Sequence, residues 1–298
     1  MNDEHQMIFY HQPHAPCLTA LVLASAALLA LIAPTRAEGP AAVPPVALKS
    51  DGAAPTKAAP CNAPADLTRF IHPLPRVAQR LAASQPITIV AIGSSSTAGA
   101  GASNPANCYP SRLAVELQQR FPANEIKVIN RGVNGEEVHD MVGRLEEQVL
   151  AEKPDLVLWQ VGTNALLRSR SLESAAGQIN QGVKRMKMAG ADVVLIDPQF
   201  APKVLTKSDH EKMVNLIAMI AKQENVDLFR RFAVMRHWRE VEGLAFNVFL
   251  SADELHMNDW SYGCLAKILG VAIAEATTRA KAIAQTPSVG AIPASASR

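Results

Sequence analysis

The sequence predicts an α/β domain in three layers, with a flavodoxin-like five-stranded parallel sheet covered by helices on both faces. Three observations carry that reading. The run Ile87-Thr88-Ile89-Val90-Ala91-Ile92 is uncharged and mostly β-branched, as a strand buried on both faces must be. From there to the final helix, short continuous apolar runs alternate with longer stretches of helical period. The early runs each end in a turn rich in Gly, Ser or Asn. In an open α/β sheet such turns border the crevice where ligands bind.

Each element has its own justification. Strand one is Ile87 to Ile92. The stretch Arg112 to Phe121 carries Leu113, Leu117 and Phe121 at helical spacing, and Pro122 stops it. Ile126 to Asn130 is the second strand. Glu136 to Ala151 predicts one amphipathic helix, with Val138, Met141, Val142, Leu145 and Val149 on a common side. Asp155 to Val161 follows Pro154 as strand three, and Leu172 to Met188 is a helix broken at Gly190. Asp192 to Ile196 is strand four, closed by Asp197-Pro198. A helix over Ser208 to Gln223, a short strand over Val226 to Phe229 and a helix over Phe232 to Glu242 follow. Leu265 to Ala276 belongs to the final helix. Parallel strands need long, right-handed crossovers. The order 2-1-3-4-5 then places the first strand centrally and the crevice over the ends of strands one and three.

With 298 residues, 48% of them hydrophobic, the chain can bury a sizeable core. Net charge is +2 and no basic run interleaves with aromatics, so nucleic acid is not an expected partner. Leu18 to Ile32 is continuously apolar and leads into Ala33-Pro34-Thr35-Arg36-Ala37, the pattern of a signal peptide over 1–37 cleaved before Glu38. Asp3 and Glu4 stand where basic residues are usual. The apolar stretch falls short of the roughly twenty residues of a membrane span, so the expected location is periplasmic or secreted, with an anchor at 18–32 as the alternative. Residues 38–65 are Ala/Pro-rich and predict a disordered linker, as does the tail 285–298, leaving 66–284 as the folded domain. Nothing in the pattern sets an oligomeric state.

Of the cysteines, Cys17 leaves with the signal. Cys61, Cys108 and Cys264 allow at most one internal bridge, from Cys61 to Cys108 or to Cys264, or Cys264 is a buried thiol. No Cys/His cluster has metal-ligand spacing, and neither a metal nor another cofactor is expected.

The chemistry is expected after the strands. Gly93-Ser94-Ser95-Ser96-Thr97 offers a hydroxyl nucleophile, though such a turn also cradles phosphates or caps a helix. Asn130 to Gly135 contains two glycines and two asparagines, able to turn backbone N–H groups toward a ligand. In Gly162-Thr163-Asn164 a neutral amide can donate to a developing oxyanion, or cap the next helix. Asp253 stands three residues before His256, close enough to hold the imidazole Nδ1–H and leave Nε2 to take a proton from serine.

These four blocks in this order resemble the SGNH hydrolases, also called the GDSL esterase/lipase superfamily, over about Ile87 to Ala276. The resemblance implies the SGNH fold and a serine esterase in which Ser95 is the nucleophile, His256 the base and Asp253 its orienter. It also implies an oxyanion hole from the N–H groups of Ser95 and Gly135 and the side chain of Asn164. One position departs: the family usually has Gly-Asp-Ser where this chain has Gly93-Ser94-Ser95. The choice of Ser95 rests on the Gly-x-Ser spacing and on Thr97. The loop candidates Ser103 to Pro110 and Pro198 to Lys207 hold small and polar residues rather than a broad apolar wall. The expected substrate is therefore a short-chain ester, an acetyl group on a saccharide. The alternatives are a lysophospholipase or thioesterase of the same fold, or a non-catalytic flavodoxin-like or glycan-binding module.

Overall fold

The computed structural model describes residues 60–285. The signal peptide expected at 1–37, the linker up to residue 59 and the tail beyond residue 285 lie outside the described residues. The chain divides into two units, Met1–Lys57 and Ala58–Arg298, and the described residues all belong to the second.

Strands β1 (Ile87–Gly93), β2 (Ile126–Gly132), β3 (Leu156–Gln160), β4 (Asp192–Ile196) and β5 (Asp227–Phe229) form one sheet in the order β2-β1-β3-β4-β5. Every pairing is parallel. β1 lies inside, paired from Ile87↔Ile126 to Gly93↔Gly132 on one edge and from Ile89↔Leu156 to Ile92↔Trp159 on the other. The expected topology and the expected central strand are both present. Burial explains the apolar runs, since Leu156, Val157, Leu158 and Trp159 of β3 all have 0% exposure.

The main helices are α1 (Pro75–Ala82), α2 (Tyr109–Arg120), α3 (Leu172–Met188), α4 (His210–Glu224), α5 (Arg231–Glu240) and α6 (Asp259–Gln285). Helices α1, α2 and α6 pack together in one layer, and α3 and α4 with the short helix Val138–Gly143 form the other. In α3, Ser171 accepts from the Ser174 N–H, and Ala175, Ile179, Gly182, Val183 and Met186 make the buried stripe. Gly182 lets this helix close on the sheet, because a Cβ there would stand 2.3 Å from the Trp159 ring.

Two expectations are corrected. The single helix expected over Glu136 to Ala151 is broken into Val138–Gly143, Leu145–Gln148 and a 3₁₀ turn, Leu150–Glu152. At the break, the Arg144 guanidinium turns back to donate to Glu136 at 2.7 Å and to the Arg131 carbonyl at 2.7 Å. These contacts outweigh the continuous apolar stripe. The linker expected through residue 65 is packed from Cys61 onward: Cys61 is bonded to Cys264, and Trp238 Nε1–H donates to the Asn62 carbonyl at 2.7 Å.

Helix α1 and the chain before it gave no signal of their own, yet three aspartates hold them across the N-terminal ends of the strands. Asp155 accepts from Arg76 and Arg80, each at 2.9 Å. Asp192 accepts from the Val77 N–H at 3.0 Å, and Asp227 from the Ile71 N–H at 2.7 Å and the His72 N–H at 3.1 Å. The opposite edge, at the carboxyl ends, stays open for chemistry.

The bridge leaves Cys108 as a free, buried thiol. It closes a loop of sequence separation 203, so it restricts the unfolded chain strongly. Replacing Cys61 and Cys264 by Ala is expected to cost about 2–4 kcal/mol and to lower the melting temperature by roughly 5–15 °C. A melting curve unchanged by the double substitution would remove this stabilising role.

Candidate active site

The site begins where β1 ends. Gly93 has no room for a side chain: a Cβ would lie 2.3 Å from Thr97 Oγ1 and 2.9 Å from Gln160 Oε1. The chain then turns at Ser94 into the short helix Ser95–Ala98. Burial separates the three serines, since Ser94 is 2% and Ser96 1% exposed while Ser95 is only half-buried. Ser94, in the position where SGNH hydrolases usually carry aspartate, donates through both its N–H and its hydroxyl to Gln160 Oε1, at 2.9 and 3.0 Å. Gln160 was not singled out from the sequence. Its signal was a lone amide closing an apolar strand, one position past the Ile92↔Trp159 pair.

The serine turn is also pinned from β2. Asn130 Nδ2 donates to the Thr97 carbonyl at 2.8 Å, and Gly132 allows contact that a Cβ, 2.2 Å from the Ala98 nitrogen, would forbid.

Across the crevice, the segment from Ser251 to His256 folds around one carboxylate. Asp253 Oδ1 accepts from Ser251 Oγ at 2.7 Å, from the Leu255 N–H at 3.0 Å and from the His256 N–H at 2.9 Å. Asp253 Oδ2 accepts from the ring Nδ1–H of His256. That fixes the tautomer, so Nε2 is left as an acceptor, and it lies 2.7 Å from Ser95 Oγ, 161 residues away in sequence. Partial burial alone would push the Asp253 carboxyl upward. The hydrogen bonds from the His256 ring and N–H, the Ser251 hydroxyl and the Leu255 N–H outweigh it and hold the group well below the usual carboxylate range. Gly101 (φ +88°) brings its loop close behind His256, where a Cβ would sit 2.3 Å from the Met257 carbonyl oxygen.

The remaining predicted residues lie along one wall. Asn164 belongs to the short helix Thr163–Leu167 after β3, and its Nδ2 donates to the Glu136 carbonyl at 2.8 Å. Gly135, exposed and at φ +79°, lies just before Glu136 in the loop after β2. Arg168 Nη1 donates to the Gly135 carbonyl at 2.9 Å and to Glu137 Oε1 at 2.8 Å. The structure thus joins Ser95, His256 and Asp253 in one line of hydrogen bonds and ties Asn164 to the Gly135 loop. Arg168 and the buried Glu137 are further members of this wall that sequence reading missed. A cleft of about 470 Å³ opens beside it, lined by Glu137, His139, Ala165, Arg170, Ser171 and Ser174.

Residues 60–279, about three-quarters of the chain, match the model of the Non-GDSL lipase-like family. The chain belongs to this family. Solved structures similar to this family member share its three-layer fold, a parallel sheet covered by helices on both faces. A two-domain esterase (CEX) active on acetylated mannans superposes at TM-score 0.61 and 20% identity, over 71% of this chain and 56% of that one. The acetylxylan esterase Axe2 of Geobacillus stearothermophilus does so at TM-score 0.53 and 22% identity, over 63% of this chain and 94% of its own. TesA matches at TM-score 0.54 and 20% identity, over 63% and 99%. In sequence, an acetylxylan esterase of Geobacillus stearothermophilus is 41% identical over 56 residues, 19% of this chain and 26% of that relative.

In this lipase-like family member the two ends of β4 carry aspartates whose carboxyls hold their protons more tightly than usual. Asp197, just after β4, accepts from the Phe232 N–H at 2.8 Å, and burial raises its carboxyl to about 7 against the lowering effect of that N–H and of Arg231. Burial likewise raises Asp192 to about 6, against the Val77 N–H. Unfolded aspartate titrates near ~3.9, so between about pH 4 and the raised values the folded state binds more protons than the unfolded state. Stability is therefore expected to fall as pH rises through that window, giving a higher melting temperature at about pH 5 than at about pH 8. Asp253 acts in the other direction, but only below about pH 4. Asp197→Asn should flatten the slope; an unchanged slope would assign it elsewhere. Among the described residues, no group of three or more His, Cys, Asp or Glu is placed to hold a metal ion.

Proposed function

We propose that this protein is a serine carboxylic ester hydrolase that removes a short acyl group, acetyl, from a saccharide. The observation that carries the reading is the hydrogen-bonded line from Ser95 Oγ through the His256 ring to Asp253. In this mechanism Ser95 Oγ attacks the ester carbonyl carbon as His256 Nε2 takes its proton. The N–H groups of Ser95 and Gly135 and the Asn164 amide stabilise the oxyanion. As the tetrahedral intermediate collapses and its bond to the saccharide oxygen breaks, the protonated His256 gives its proton to that oxygen, so the saccharide leaves as a free hydroxyl and an acyl-enzyme remains. Water attacks that ester with the same imidazole as base, releasing acetate and restoring Ser95. Asp253 stays ionised throughout, because its carboxyl lies below the usual range.

The substrate class draws support from the small and polar residues of the stretches Ser103 to Pro110 and Pro198 to Lys207, which offer no broad apolar wall for a long acyl chain. It draws further support from the acetylated mannans and xylan named for the similar esterases. Export to the periplasm or beyond is part of the proposal. The Cys61–Cys264 bridge favours it, since disulfides persist in oxidising compartments. No described helix is long and apolar enough to cross a membrane.

The deciding experiment treats the protein with a fluorophosphonate and maps the adduct by mass spectrometry, then assays acetate release from acetylated xylan and mannan. A phosphonylated Ser95 with acetate release supports the proposal. Labelling at another residue sinks the triad, and a preference for long-chain lipid or thioester substrates sinks the saccharide assignment.

A further inference from the structure

We propose that Gln199 is a positioning residue that holds the His256 loop and the Asn164 turn in one register, an inference that rests on the triad reading above. Gln199 lies three residues past β4, in the stretch 198–207 that the sequence suggested as a substrate-facing loop. Its side chain faces inward instead and is 1% exposed. Oε1 accepts from Thr163 Oγ1 at 3.0 Å and from Arg231 Nη2 at 2.9 Å, while Nε2 donates to the Leu255 carbonyl at 3.2 Å.

Each partner matters through its neighbour. Thr163 opens the short helix that carries Asn164. The Leu255 carbonyl and the His256 N–H belong to one peptide group, and that N–H donates to Asp253 Oδ1 at 2.9 Å. The peptide plane is therefore gripped on both edges, and it sets the direction in which the His256 side chain leaves the backbone. Arg231, 0% exposed and itself fixed by Nε–H to the Asp197 carbonyl at 2.9 Å, supplies the second donor to Oε1. Two donors on Oε1 leave the carboxamide a single orientation, with its NH₂ toward Leu255. A carboxamide can accept at one end and donate at the other; an ionised carboxylate only accepts. Gln199 thus links the ends of three strands to the catalytic loop without touching substrate.

The test compares Gln199→Glu and Thr163→Val with the parent protein on nitrophenyl acetate. Gln199→Glu keeps the Arg231 and Thr163 contacts but turns an acceptor toward the Leu255 carbonyl. Misplacing a reacting group by about an ångström costs up to ~10² in rate, so kcat is expected to fall roughly 10- to 100-fold with KM unchanged and a cooperative melt retained. Fluorophosphonate labelling should slow in parallel. Thr163→Val should lower kcat several-fold, again without change in KM. A folded Gln199→Glu protein with parental kcat, or a loss carried by KM, overturns the inference. Should Gln199→Glu not fold, parental kcat in folded Thr163→Val overturns it equally. An active Ser95→Ala variant would instead refute the triad on which the inference rests, so the two failures are distinguishable.

Discussion

Ser95→Ala is expected to lose on the order of 10⁶ in turnover of an acetyl ester, the scale on which a Ser-His-Asp unit fails when its nucleophile is removed. The His256 imidazole 2.7 Å away would remain, still oriented by Asp253, but with no hydroxyl to deprotonate. Residual activity would come only from water bound against the oxyanion donors. The same variant should take no fluorophosphonate. Ser94→Ala gives the contrast, because Ser94 is buried and its hydroxyl is spent on Gln160 rather than on His256. Its loss should register mainly as stability, with labelling at Ser95 preserved. Steady-state kinetics and labelling on both variants check this, and a Ser95→Ala enzyme within tenfold of the parent would end the assignment.

Asn164→Ala should cost about 10²–10³ in kcat, or roughly 2.7–4 kcal/mol of transition-state stabilisation, the usual effect of removing one oxyanion donor. One amide hydrogen is already given to the Glu136 carbonyl at 2.8 Å, which aims the carboxamide and leaves its second hydrogen free to meet a developing oxyanion. KM for a small acetyl ester should change little, since the ground-state carbonyl gains less from this donor than the tetrahedral intermediate does. Asn164→Asp keeps the shape but puts a carboxylate where the oxyanion forms, so it should be at least as impaired. A folded Asn164→Ala enzyme with near-parental kcat would give Asn164 a purely structural role, as the link between its own short helix and the Gly135 loop.

Local pattern made much of this protein legible. The strands are short uncharged runs, and their alternation with amphipathic stretches is written in consecutive residues. The three-residue spacing from Asp253 to His256 is realised as a turn closed by hydrogen bonds to neighbouring N–H groups. The broken helix over Glu136 to Ala151 was hidden, because Arg144 reverses it through contacts with Glu136 and Arg131 that periodicity does not encode. Helix α1 was hidden because its partners, Asp155 and Asp192, lie 75 or more residues away in sequence.

The sequence by itself determined the sheet order and brought forward the four blocks of the candidate site, with Ser95 picked out by the Gly-x-Ser spacing and Thr97. Only the tertiary structure decided that Cys61 joins Cys264 rather than Cys108, that Ser94 binds Gln160, and that Gln199 turns inward to Thr163, Arg231 and Leu255. The division has a physical cause. Periodicity and turn chemistry act between neighbours and can be read along the chain. A buried amide or thiol takes whatever partner the closed fold sets beside it, and that choice exists only once the sheet and its layers have formed.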